Sequence, residues 1–122
     1  MNKQEYLMEI ARTVSIRGTC PDMRVGCVIA TEDGFILSTG YNGVPRGDDH
    51  CVTVEGRCAE NGLNHRVVHA ETNAVANAAR NGIRLLGSTA YVTHEPCIKC
   101  MALLRQAGIS ALVVDGSRSV RL

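Results

Sequence analysis

His69-Ala70-Glu71 and Pro96-Cys97-Ile98-Lys99-Cys100 lie 24 residues apart and between them carry one imidazole, one carboxylate and two thiols. A fold that uses all four groups together must bring two chain segments, each at the start of a helical pattern, to one point. Pro96 suits the first position of a helix, and Cys97 and Cys100, three apart, then share one face of its first turn. His69 opens an Ala-rich run that reads as a second helix. His69 and Glu71 are two apart and diverge on an ideal helix, so periodicity alone does not bring both to that point.

One histidine and two cysteines form a zinc donor set that leaves a fourth position for water, as a catalytic site requires. The positive end of a helix favours thiolate at Cys97 and Cys100. A carboxylate beside that water is placed for general acid–base work, which contributes roughly 10²–10⁴-fold. A lone Cys-x-x-Cys also reads as a redox pair or half of a structural zinc site. The two halves in this order resemble the H-x-E…P-C-x-x-C signature of zinc-dependent nucleobase deaminases. The resemblance implies His69, Cys97 and Cys100 as zinc ligands and Glu71 as the catalytic proton carrier.

A chain of 122 residues is expected to form one domain spanning 1–122. With one Phe, three Tyr and no Trp, its core must be aliphatic and Ala-rich, with close helix–sheet contact. A formal net charge of +1 gives no broad footprint for a nucleic-acid polymer. No apolar run is long enough to span a bilayer. The opening MNKQEYLMEI lacks the apolar core of a signal peptide. Six cysteines without such a signal favour metal ligation and buried thiols over disulfides, so a cytoplasmic location is expected.

Along the chain, residues 3–17 read as an amphipathic helix with Tyr6, Leu7, Ile10 and Val14 on one side, ended by Gly18. Strands are expected at 25–31 and 35–39, joined by a hairpin turn at Asp33-Gly34. Residues 40–66 read as irregular, dense in Gly, Asn, Asp and Pro. A loop of that length tends to be functional or tied down by metal. Helices are expected at 69–81, capped by Gly82, and at 97–106, ended by Gly108. Strands are expected at 88–93 and 110–114, and a short edge strand or a frayed end at 116–122. Right-handed crossovers would make the later strands parallel, giving a three-layer α/β/α sandwich with a mixed central sheet. Both motifs then sit at strand-to-helix junctions at one end of the sheet.

From end to end the chain resembles the deoxycytidylate (dCMP) deaminases of the cytidine/deoxycytidylate deaminase superfamily. Val25-Gly26-Cys27-Val28-Ile29 is similar to that family's first strand. Gly40 to Gly47, GYNGVPRG, resembles its GYNGxPxG loop, and Val68 to Ala74 its HAExNA segment. Tyr91 to Cys100 and Gln106-Ala107-Gly108-Ile109 complete the match. The resemblance implies a cytidine-deaminase-like fold and hydrolysis of dCMP to dUMP and ammonia, supplying dUMP for thymidylate synthesis. It also implies Asn42 as a substrate contact, although Asn-Gly is equally a common turn pair. Arg24 and Arg46 are candidate phosphate contacts, since Arg suits bidentate phosphate recognition. His94 is a candidate pocket residue or a solvent-facing one. Many members of the family are homohexamers activated by dCTP and inhibited by dTTP. The resemblance implies Gly40, Tyr41, Asn42, Gly43 and Arg46 as candidate effector contacts, with Mg²⁺ a candidate companion of the triphosphates.

Cys20, Cys51 and Cys58 fall outside the catalytic motif. Some family members carry a second, structural zinc in the corresponding regions, and Cys20, Cys51, Cys58 and His65 would make a closed Cys₃His site. His50 is an alternative to His65, and buried free thiols are the alternative to the site. Cys27, within a strand, reads as core. Two rivals stand beside this reading: a deaminase of the same fold acting on tRNA adenosine or another cytosine nucleoside or nucleotide, and a non-catalytic zinc-binding module. The tRNA enzymes usually carry Trp where Tyr41 stands, and Glu71 argues against the module.

Overall fold

In the computed structural model, residues 1–20, 23–49 and 67–122 are described, with the backbone of 53–54 and 57–58. Helix α1 (Lys3–Ser15) is followed by strands β1 (Gly26–Ala30) and β2 (Ile36–Tyr41) and a two-residue hairpin, β3 (Thr53–Val54) and β4 (Arg57–Cys58). Helix α2 (Ala70–Arg80), β5 (Thr89–Val92), α3 (Ile98–Gln106), β6 (Ala111–Val114) and β7 (Arg118–Arg121) complete the order. The main sheet runs β2-β1-β5-β6-β7. Only β5 and β6 are parallel; the other three pairings are antiparallel, so the sheet is mixed.

All five residues of β1 are buried, because both faces of the strand are covered. Leu7, Met8 and Ala11 of α1 pack on Val28, Ala30, Tyr91 and Val113. On the other face Ala70, Ala74 and Ala78 of α2 and Leu104 of α3 pack on Cys27, Ile29, Ala90, Val92, Leu112 and Val114. Strand alternation sends odd and even residues of β1 to opposite layers, which makes the three-layer sandwich. Cys27 is fully buried, as its place in a strand predicted.

Ala and Gly set the layer spacing. A Cβ on Gly40 would come within 2.4 Å of the Ala70 carbonyl and the Ala74 amide nitrogen. A Cβ on Gly26 would come within 2.1 Å of the Ala11 carbonyl. These are contacts no side chain survives, so the two glycines let α2 and α1 lie directly on the sheet.

Several details differ from the sequence reading. Strand β2 runs through Gly40 and Tyr41, and β3–β4 forms a hairpin, so the expected irregular stretch contains regular pairing. A register shift between Ile29 and Ala30 puts a bulge in the β1–β2 pair. Tyr6 is 47% exposed, and Met8 occupies the buried position instead. The chain end forms edge strand β7, paired through Ala111↔Arg121 and Val114↔Arg118. Among the described residues, no helix is long and apolar enough to cross a membrane.

Candidate metal centre and its cavity

The two motifs meet as paired helix N-caps. His69 precedes α2 with extended backbone (φ −70°, ψ 157°), and Cys97 precedes α3 with nearly the same angles (φ −72°, ψ 168°). The extended geometry at His69 removes the divergence expected of residues two apart, because only Glu71 sits within the helix. The Cys97 sulfur accepts from the Cys100 amide at 3.5 Å and so serves as the cap of α3. Pro96 therefore precedes the cap instead of occupying the first helical position.

His69 Nδ1 lies 3.6 Å from Cys97 Sγ and 3.4 Å from Cys100 Sγ. The three donor atoms all lie within 4.8 Å of one another. Tetrahedral zinc with Zn–N near 2.0 Å and Zn–S near 2.3 Å separates nitrogen from sulfur by about 3.5 Å. Donor type and spacing thus fit zinc. Cys100 is buried, whereas His69 and Cys97 are exposed, so the centre has a protected side and an open side. Burial first, and then the charge of Glu71, pushes the Cys100 thiol up to about 12, while a contact from Thr72 acts the other way. Burial also raises the Cys27 thiol, with smaller contributions from Glu71 and Cys100.

A cavity of about 260 Å³ opens beside these donors, lined by His69, Glu71, Cys97, Asn42, His94 and Glu95 together with apolar Met23, Val25 and Val67. Glu71 is 3% exposed. Cys20 also lines this cavity. Cys51, His50 and His65 lie outside the described residues, as does the side chain of Cys58, so the expected second zinc falls largely outside them.

Asn42 is buried, and its amide is committed to the backbone: Nδ2 donates to the Met23 carbonyl at 2.7 Å, and Oδ1 accepts from the Val25 amide at 2.8 Å. That amide therefore grips both neighbours of Arg24, which is itself exposed. His94 lines the cavity, with Nδ1 2.9 Å from Thr93 Oγ1. Glu95, which the sequence reading missed, is held by Arg118 of β7, whose Nε donates to Oε1 at 3.0 Å. Its place directly before Pro96-Cys97 was the available signal. Among the described residues, no Lys or Arg lines this cavity.

Tyr41, Gly43 and Arg46 line a separate groove of about 510 Å³, with Asn73, Asn77 and Arg80 of α2 on its other side. Gly40 is buried beneath α2 and Asn42 faces the first cavity, so the five loop residues divide between different places.

A mixed sheet sandwiched by helices, with one His and two Cys that could hold a metal beside a buried carboxylate at helix starts, has the α/β architecture of the cytidine-deaminase-like class. The family model for the cytidine and deoxycytidylate deaminase zinc-binding region matches residues 1–115. The chain is 36% identical over 119 residues to the deoxycytidylate deaminase of Mycobacterium phage D29, covering 89% of this chain and 91% of that one. It is 34% identical over 113 residues to ComE operon protein 2 of Bacillus subtilis, covering 88% of this chain but 56% of that one. It thus spans little more than half of some longer relatives. The crystal structure of the dCMP deaminase of cyanophage S-TIM5 with dCMP and dUMP superposes with a TM-score of 0.80 at 33% identity, covering 91% of this chain and 79% of that one. The chain belongs to the cytidine and deoxycytidylate deaminase family.

Proposed function

We propose that this protein hydrolyses dCMP to dUMP and ammonia with zinc held by His69, Cys97 and Cys100. The observation that carries this reading is the convergence of those three donors within 4.8 Å of one another, two of them, His69 and Cys97, lining one cavity with Glu71. When bound, zinc supplies the Lewis acidity that makes water a nucleophile near neutral pH. Glu71 takes one proton from the attacking water and delivers it to N3 of the cytosine ring, then takes the second from the new C4 hydroxyl and hands it to the departing N4 amine. The C4–O bond forms and the C4–N4 bond breaks, so dCMP and water become dUMP and ammonia. Near-complete burial of Glu71 keeps bulk water from competing for its proton.

Asn42, Arg24 and His94 form the substrate-binding set in this reading. The Asn42 amide holds the backbone on both sides of Arg24, which supports Arg24 as the cation for the 5′-phosphate. In the same reading, residues 1–122 are one domain working in the cytoplasm and supplying dUMP for thymidylate synthesis. The groove bearing Tyr41, Gly43 and Arg46 takes the effectors dCTP and dTTP, with Mg²⁺ on their phosphates, in a homohexamer. A second, structural zinc on Cys20, Cys51, Cys58 and His65 would bring the metal content to two per chain.

A spectrophotometric screen of dCMP, CMP, cytidine, cytosine and a tRNA stem-loop tests the substrate. Preferential loss of dCMP is expected; turnover of the RNA alone would overturn the reading. Repeating the screen with dCTP and dTTP tests the regulation, and metal analysis counts the zinc.

A further inference from the structure

Cys97 and Cys100 are set in different surroundings. Cys97 is exposed, and its sulfur accepts the Cys100 amide at 3.5 Å. Cys100 is 3% exposed, and its sulfur lies 3.8 Å from Thr72 Oγ1 on the third residue of α2. With the metal-free thiol, either atom can donate. A thiolate has no proton, so once Cys100 binds metal the hydroxyl must be the donor. A buried thiolate needs a donor, and Thr72 supplies one from the helix that also carries Glu71.

We propose that Thr72 is a positioning residue of the metal centre, donating its hydroxyl proton to the Cys100 thiolate and joining the start of α2 to that of α3. The hydroxyl orients the sulfur lone pairs and draws charge from the thiolate, as outer partners of metal ligands do. The helix needs no threonine at this position: a β-branched side chain is a slightly poorer helix former than Ala.

This inference rests on the reading of His69, Cys97 and Cys100 as metal ligands, and its test is independent of dCMP turnover. Purified Thr72→Val, Thr72→Ser and wild-type protein are loaded with Co²⁺ for absorption spectra and titrated with Zn²⁺ against a chelator. In T72V the sulfur-to-cobalt charge-transfer band moves to lower energy, because an undonated thiolate gives up charge more readily. Zinc affinity falls roughly tenfold in the same variant. T72S keeps the wild-type band and affinity. If T72V does not fold, Thr72→Ala decides by the same two readouts. A wild-type band and affinity in the variant lacking the hydroxyl would overturn the role of Thr72. Wild-type protein that shows no sulfur-to-cobalt band would overturn the metal centre itself, and the proposal with it.

Discussion

His69 Nδ1 and Cys100 Sγ stand 3.4 Å apart, although 30 residues and a whole strand separate them in the chain. They meet because β1 lies between β2 and β5, and α2 and α3 pack on the same face of that sheet. The start of each helix is thereby brought to one end of the sheet, α2 contributing its cap residue His69 and α3 its cap Cys97 and its third residue Cys100.

Glu71 is expected to be needed for turnover and not for metal binding. Replacing Glu71 with Gln should leave zinc content unchanged and lower kcat on dCMP by at least about 10²-fold. Metal analysis and steady-state kinetics on one preparation check both halves. Loss of zinc with the carboxylate would mean that Glu71 is a ligand.

The Cys100 thiol gives the metal-free protein a defined pH response. Its value in the fold, about 12, lies above the ordinary 9.0. The folded state thus holds this proton more tightly than the unfolded chain, a stabilisation present below pH 9 that is lost as pH rises towards 12. Thermal melts of metal-free protein should show a falling Tm above pH 9. Removing the thiol with Cys100→Ala should lessen that fall, the buried Cys27 thiol keeping part of it. Zinc must displace the same proton, so zinc affinity should rise with pH throughout the range below about 12.

Gly40 is expected to tolerate no side chain. In G40A the new methyl group meets the Ala70 carbonyl and the Ala74 nitrogen at 2.4 Å, and α2 must shift. Overpacking of this kind costs typically 1–3 kcal/mol. Because His69 and Glu71 ride on that helix start, activity should fall along with Tm. An unchanged Tm would show that the layers are looser than the structure has them.

Asn42→Asp keeps the acceptor for the Val25 amide and loses the donor to the Met23 carbonyl. A carboxylate then faces a carbonyl oxygen, at a cost of about 1–3 kcal/mol for the unmet group. The segment bearing Arg24 should loosen, and KM for dCMP should rise more than KM for deoxycytidine. Equal changes for both substrates would detach Arg24 from the phosphate.

Much of this was legible in the chain. The candidate donors follow from the H-x-E…P-C-x-x-C signature, and the structure brings His69, Cys97 and Cys100 within 4.8 Å of one another. The helices and central strands were legible too, because their apolar periods are regular. The role of Gly40 was not: as part of a GYNG segment it reads as a turn, whereas the structure makes it the contact point of α2 on β2. The double commitment of Asn42 to Met23 and Val25 was equally hidden, since it joins residues 17 to 19 positions apart through a buried amide. Tyr6 was misassigned because a helical period does not say which edge of the apolar face the sheet covers, and Met8 took the buried place.

Anomalous diffraction at the zinc absorption edge, on crystals of the zinc-loaded protein, bears most directly on the central claim. It should reveal one peak in simultaneous bonding contact with His69 Nδ1, Cys97 Sγ and Cys100 Sγ, its remaining position open towards Glu71. The absence of a peak there, or a fourth protein side chain closing that position, would contradict it.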